Sequence, residues 1–399
     1  MRYLATTLIS LLSIFNISAQ GIDDVLARAG SLVEEQKYLT AYQMLQSYDP
    51  HISEPEILIA KTDIVLNYHV STVLHQMFGL ADLAADQCLD DYRKRYGDSF
   101  SVRLNASDEF LRLIRENPDD FRLHKGLADY YLEVFRRYGD NWLIDADELE
   151  ERIIRYYIAA AENGVYDYTT YNGLGYLALA GEGYSEALAN FIRASELNPN
   201  DPRSQYKAAY SLLFLDRHEE ALEYAVRALD NYTESGDRGD AARLAATIMT
   251  EKGDSARALE YYELSNSEDP DNYYTLTSFL AYAISTGDPR YESLTGELHL
   301  LDPLRPAIYN DLIAYYSEAD KVEELERYLR GSLSNFSDDR HVRGTIHVYL
   351  GGLLFEHAPD RARNAFIQAR SILEPVMPGT DPMMRIIEES LHRLEQIER

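Results

Sequence analysis

Cysteine is nearly missing from this chain: Cys88 is the only one in 399 residues. One sulfur makes no intrachain disulfide and no thiolate metal cluster. Its setting, Leu83-Ala84-Ala85-Asp86-Gln87-Cys88-Leu89, reads as helix with the thiol as a small buried apolar group. Basic residues are also scarce, 38 against 67 acidic ones, which leaves a formal net charge of −29. Such a field repels nucleic-acid phosphates and anionic membrane surfaces, so neither is an expected partner. The ten histidines are scattered, with no His-Glu-x-x-His run and no pair spaced to hold a metal from one helix face. No glycine-rich phosphate loop occurs.

Three short segments touch on chemistry and fall short of it. Asp145-Ala146-Asp147-Glu148-Leu149-Glu150-Glu151 fails as a calcium loop, because Glu150 stands where glycine is needed and Tyr156 where a closing glutamate is needed. It reads instead as a helix start capped by Asp145. Gly97-Asp98-Ser99 and Gly253-Asp254-Ser255 lack the strand-turn-helix setting and the matched base of a serine hydrolase, and read as turns. The expectation is a chain that is not an enzyme, with no catalytic residues, no metal and no cofactor.

Long apolar runs are missing after the amino terminus. Residues 1–19 combine Arg2, an apolar stretch from Leu4 to Ile17 and the small-residue end Ile17-Ser18-Ala19, the three-part layout of a bacterial-type secretory signal with cleavage after Ala19. The stretch is broken by Thr6, Thr7, Ser10, Ser13 and Asn16, and is short for a bilayer span of ~20 apolar residues. A periplasmic or secreted protein is expected, with no integral membrane segment once the signal is removed; retention as an anchor is the competing reading.

What is present is a repeat. Tyr171, Leu174-Gly175, Ala178, Ala187, Phe191, Ala194 and Pro199 form one set. Ala221 follows Ala187 by 34 positions, and Ala225 and Ala228 follow Phe191 and Ala194 by the same stride. Ala208-Ala209 answer Leu174-Gly175. Ala245, Ala246, Ala258, Tyr262, Ser265 and Pro270 repeat the set after a spacing of 37, which predicts three extra loop residues around Ser235-Gly236-Asp237. Tyr309, Leu312, Tyr316, Leu325 and Leu329 fit more loosely, and Leu350, Ala362, Phe366, Ala369 and Pro375 fit again. Two antiparallel helices approach closely only where side chains are small, and a proline closes the second helix, so the pattern has a packing cause.

This set resembles the tetratricopeptide repeat (TPR), with Tyr171 where tryptophan is usual and Ala178 where tyrosine is usual. The resemblance implies an all-α fold, a right-handed superhelical solenoid of antiparallel helix pairs. It divides the chain into the signal peptide 1–19, divergent TPR-like hairpins over 20–167 with an insertion near 138–150, a TPR array over 168–376, and a C-terminal capping helix over 377–399. Residues 56–96 read as helical stretches without a clean signature.

The resemblance also implies a function. The first helix of each pair would line a concave groove including Asn172, Tyr176, Arg203, Tyr206, Tyr210, Arg243 and Thr247. Asn172 would bond an extended peptide backbone, the tyrosines would flank it, and the arginines would grip a carboxylate. The lysine and asparagine set with which the family clamps chaperone C-termini is not reproduced. Tyrosine reaches 32 residues beside the lone Trp142, which suits packing between hairpins and also contact surfaces. The expectation is a scaffold for protein–protein interaction, its partner another protein or peptide. The alternative is a carbohydrate-binding or carbohydrate-processing helical protein of the cell envelope.

Overall fold

The computed structural model describes residues 21–397; the secretory signal expected over 1–19 lies outside them. The described residues form two compact units, divided between Ser211 and Leu212. Each is a succession of α-helices packed as consecutive pairs, a TPR-like architecture.

Unit 1 opens with α1 (Ile22–Glu34) and α2 (Tyr38–Tyr48), joined by a turn in which Gln36 takes a positive φ of 59°. Helix α3 (Pro55–Tyr68) starts on a proline in its first turn, where the missing N–H costs nothing. It packs on α5 (Ala106–Glu116), and between the two lies an insertion where helical stretches are expected from the sequence. The insertion holds β1 (Ser71–Val73), β2 (Met77–Leu80), the short helix α4 (Leu89–Lys94) and β3 (Phe100–Arg103). The strands form an antiparallel sheet in the order β1-β2-β3, with Thr72 opposite Phe78 and Phe78 opposite Val102. Phe78 and Leu80 are fully buried, which anchors the sheet to the helical core. Cys88 is exposed and stands just before α4, outside any helix, so the expectation of a buried helical thiol is corrected.

Next come α6 (Phe121–Tyr138) and α7 (Ala146–Glu162), then α8 (Tyr168–Ala180) and α9 (Tyr184–Leu197). The stretch 138–150 is the end of α6, a 3-10 turn at Gly139–Asn141 and the first turn of α7. There the Asp145 carboxylate accepts from the Glu148 N–H at 2.8 Å, the cap read from sequence. Helix α10 (Pro202–Phe214) carries the division between the units.

Unit 2 continues with α11 (His218–Asn231), α12 (Ser235–Glu251), α13 (Ser255–Glu268), α14 (Tyr273–Thr286), α15 (Tyr291–Leu301), α16 (Pro306–Glu318), α17 (Val322–Ser332), α18 (Arg340–Leu354), α19 (Pro359–Leu373) and α20 (Pro382–Ile397). Ser235-Gly236-Asp237, expected in a loop, form the first turn of α12 instead, which lengthens that helix to 17 residues. On α20, Met384, Ile387, Leu391 and Leu394 pack with Phe366, Ala369 and Leu373 of α19.

The repeating small residues sit where helices meet. Ala187, Ala194, Ala221, Ala228, Ala258, Ala362 and Ala369 have no exposed surface. A Cβ on Gly175 would lie 2.7 Å from the Phe191 ring, and one on Gly351 would lie 2.7 Å from Phe366. Glycine lets the aromatic ring of the second helix approach the backbone of the first closely.

Candidate functional site

In unit 1 the first helices of successive pairs, α3, α6, α8 and the start of α10, line a cleft of 540 Å³. Glycines set their spacing: a Cβ on Gly173 of α8 would lie 2.8 Å from Leu132 on α6, and one on Gly126 of α6 would lie 2.7 Å from Phe110. Gly126 and Phe110 themselves line the cleft floor.

Its polar groups are arranged in order. Lys125 Nζ lies 2.8 Å from the carboxylates of both Asp129 and Asp167. Burial works against the Lys125 charge, but these two partners outweigh it and hold its pKa above the ordinary lysine value. The Tyr157 hydroxyl donates to Asp129 at 2.8 Å. Burial, only partly offset by Lys125, still raises the Asp129 carboxyl. Further along, two cations lie near the Tyr176 ring, the Arg136 guanidinium 5.1 Å and the Lys207 ammonium 5.4 Å from its centroid. Arg203 completes the group, close enough to Lys207 to act on its charge. Among the described residues Arg136, Arg203 and Lys207 form no ion pair. Burial first, and the Arg136 charge next, lower the Lys207 pKa to about 8, with Asp201 pulling weakly the other way.

The seven residues expected in a groove are dispersed. Arg203 lines the unit 1 cleft and Tyr176 lies in the cationic cluster beside it. Asn172 is buried, only 8% exposed, and its amide donates to the Tyr168 hydroxyl at 2.9 Å and to Ser204 at 3.0 Å. It is an internal strut and cannot reach a peptide, which corrects its expected role. Tyr206 and Tyr210 are half-buried on α10. Arg243 and Thr247 belong to unit 2: Arg243 pairs with Asp240 at 2.9 Å, and the Thr247 hydroxyl donates to the Arg243 carbonyl at 3.1 Å. Sequence reasoning missed Lys125, Asp129, Arg136 and Lys207. Two signals were available, the i, i+4 spacing from Lys125 to Asp129 and from Arg203 to Lys207.

Unit 2 has its own cleft, of 650 Å³, lined by α12, α14 and α16. Hydroxyls dominate it: Thr247, Thr250, Ser278, Ser285 and the phenols of Tyr262, Tyr282 and Tyr315. Tyr262 stacks on Phe279 at 5.3 Å and meets Tyr282 at 5.0 Å. Among the described residues no group of three or more histidine, cysteine or acidic side chains is placed to hold a metal, and no helix is long and apolar enough to cross a membrane.

No protein-family model matches the chain, and no curated protein matches it. Solved structures similar to it include TPR proteins. YrrB, described as a TPR protein with an unusual peptide-binding site, is 19% identical over 52% of this chain and 98% of its own, with a TM-score of 0.42. Yeast Tom70 is 13% identical over 94% of this chain and 81% of its own, also at 0.42. A tetratricopeptide repeat protein from Parabacteroides merdae is 16% identical over 57% of this chain and 98% of its own, at 0.34. Likenesses at this level place no residue of the cleft. In fold the chain is a TPR-like helical-repeat protein, on the evidence of its own helix pairs.

Proposed function

We propose that this chain is an exported scaffold, periplasmic or secreted, that binds without catalysing and holds a segment of a partner protein in the cleft of unit 1. The observation that carries the reading is the cationic group around Tyr176. Among the described residues Arg136, Arg203 and Lys207 form no ion pair, with Asp201 acting on Lys207 only at longer range, in a protein of net charge −29. Three like charges held together are unfavourable unless an anion joins them. A carboxylate on the bound segment supplies that charge, with charge-assisted hydrogen bonds from the guanidinium groups. The Tyr176 ring offers a flat, rigid contact face beside it. Export is supported by the signal-like layout of residues 1–19.

The test is a calorimetric comparison of N-acetylated peptides with and without a glutamate. Wild-type protein is expected to prefer the glutamate peptides. The double variant Arg136→Met, Lys207→Met is expected to lose that preference by at least about tenfold, since a hydrogen bond to a charged group contributes about 1.5–3 kcal/mol. Undiminished preference in a folded double variant removes the reading.

One observation favours a second reading for unit 2. Its cleft combines four aliphatic hydroxyls with three tyrosine rings, matching the hydroxyl edges and apolar faces of a sugar. A glycan array silent at millimolar sugar discards it.

A further inference from the structure

The unit 1 cleft has a second pole, found by pairing off its charges. Lys125 is shared by Asp129 and Asp167, and Glu133 pairs with Arg137 at 3.0 Å. Asp63 is left over. Its only hydrogen-bond partner among the described residues is the Asn67 amide, which donates to Oδ1 at 2.7 Å, and no cation pairs with it. Asp63 is exposed to solvent; the surrounding protein first, and then the Asp129 charge, raise its carboxyl above the usual range against the Asn67 bond and the more distant Lys125 charge. The preceding residue on α3, Thr62, is 3% exposed, and its hydroxyl has no hydrogen-bond partner. A helical threonine ordinarily bonds back to a carbonyl one turn earlier; this one does not. Asp63, Thr62 and Asn67 all line the cleft.

We propose that Asp63, Thr62 and Asn67 form a subsite for a primary ammonium of the bound segment. An ammonium has three N–H donors. The free Asp63 oxygen, Thr62 Oγ1 and Asn67 Oδ1 are three acceptors without donors among the described residues. Consecutive helical positions diverge by about 100°, which suits tetrahedral donors better than the planar fork of a guanidinium. The inference rests on the reading of this cleft as the segment-binding site and adds its charge pattern. The segment is dipolar, with an amine toward α3 and a carboxylate toward Tyr176.

Calorimetry with heptapeptides tests it. One series is N-acetylated and carries a lysine and a glutamate one to five residues apart; a second replaces lysine by norleucine; a third has norleucine and a free amino terminus. At the best spacing, the lysine peptide is expected to bind wild type at least about tenfold more tightly than its norleucine counterpart. Asp63→Asn is expected to erase that difference while keeping the preference for glutamate, and Thr62→Val to reduce it severalfold. Both substitutions preserve shape, and circular dichroism checks the fold. Tight binding by the third series identifies a chain start as the source of the amine; failure there, with success in the first, identifies a lysine side chain. Equal affinity for lysine and norleucine, with glutamate preference intact, overturns the subsite and leaves the cleft reading standing. Loss of glutamate preference as well overturns both.

Discussion

Two buried histidines show how much a single residue's surroundings decide. His299 is fully buried, but both ring nitrogens are served, Nδ1 by the Tyr328 hydroxyl and Nε2 by the Tyr309 hydroxyl, each at 3.0 Å. Because the Tyr309 hydroxyl donates to the Pro303 carbonyl at 2.8 Å, it accepts from His299, which assigns the proton to Nε2. His75, at the β1–β2 turn, is equally buried and has neither nitrogen partnered. It is boxed by His69, Phe78, Tyr130, Tyr138 and Trp142, and the charges that weigh on it are Arg137 and then His69, both repelling a proton. Burial above all lowers its pKa to about 3. A folded-state pKa below the unfolded value of about 6.5 means the neutral ring is the stabilising form. That stability is fully present above about pH 6.5 and is lost as pH falls toward 3, by about 1.4 kcal/mol per pH unit within the window. Trp142, the only tryptophan, lies 6.1 Å from the ring and reports on it. In an acid titration followed by Trp142 fluorescence, His75→Phe is expected to move the transition to lower pH. A transition unmoved by this substitution would show that His75 does not set the acid limit of unit 1.

At the scale of elements, the recurring contact is a glycine of one helix beneath the aromatic ring of its neighbour. Gly126 with Phe110, Gly175 with Phe191, and Gly351 with Phe366 all place a hypothetical Cβ 2.7 Å from the ring. Two effects then oppose each other at Gly175. Helix propensity alone makes Gly175→Ala stabilising by about 1 kcal/mol. The fully buried Phe191 ring cannot retreat cheaply, so the contact makes the same change destabilising by about 1–3 kcal/mol. Gly296, mid-helix in α15 with nothing within 4 Å of its Cβ position, is the control in which propensity prevails. Urea midpoints are expected to fall for Gly175→Ala and rise for Gly296→Ala; a rise in both would mean the ring contact is not limiting. The same contacts explain what was legible in the sequence. The stride of small residues from Tyr171 to Pro270 is a packing requirement, so it exposes α8 to α13 directly. The sheet between α3 and α5 was illegible because its strands have only 3 or 4 residues and interrupt a pair without altering the residues that pack it. The run Ala84-Ala85 before Cys88 has helical composition but no helical partner, and the thiol faces solvent. Arg203 in the cleft and Tyr176 beside it were readable from their helix positions. Asp63 and Lys207 were not, since which charges are left unpaired is decided by helices distant in sequence.

For the whole molecule, the net charge of −29 and an isoelectric point near 4.7 set the long-range field in which this site must work. A cluster of three cations is too small to reverse that field at a distance, so a segment of net negative charge is repelled on approach and attracted only on contact. Salt separates the two effects. At about 0.1 M ionic strength charges more than ~10 Å apart are largely screened, whereas partly buried pairs are screened much less. The association rate of a net-negative glutamate peptide is therefore expected to rise between about 20 and 200 mM salt, with its dissociation rate changing little. A dipolar lysine–glutamate peptide of zero net charge has no long-range repulsion to relieve, and its association rate is expected to stay nearly flat over the same range. Stopped-flow measurements on both peptides read these slopes directly. An association rate for the acidic peptide that falls with salt would mean that a local basic face dominates the approach, and that the cleft's cations act at long range and not only on contact.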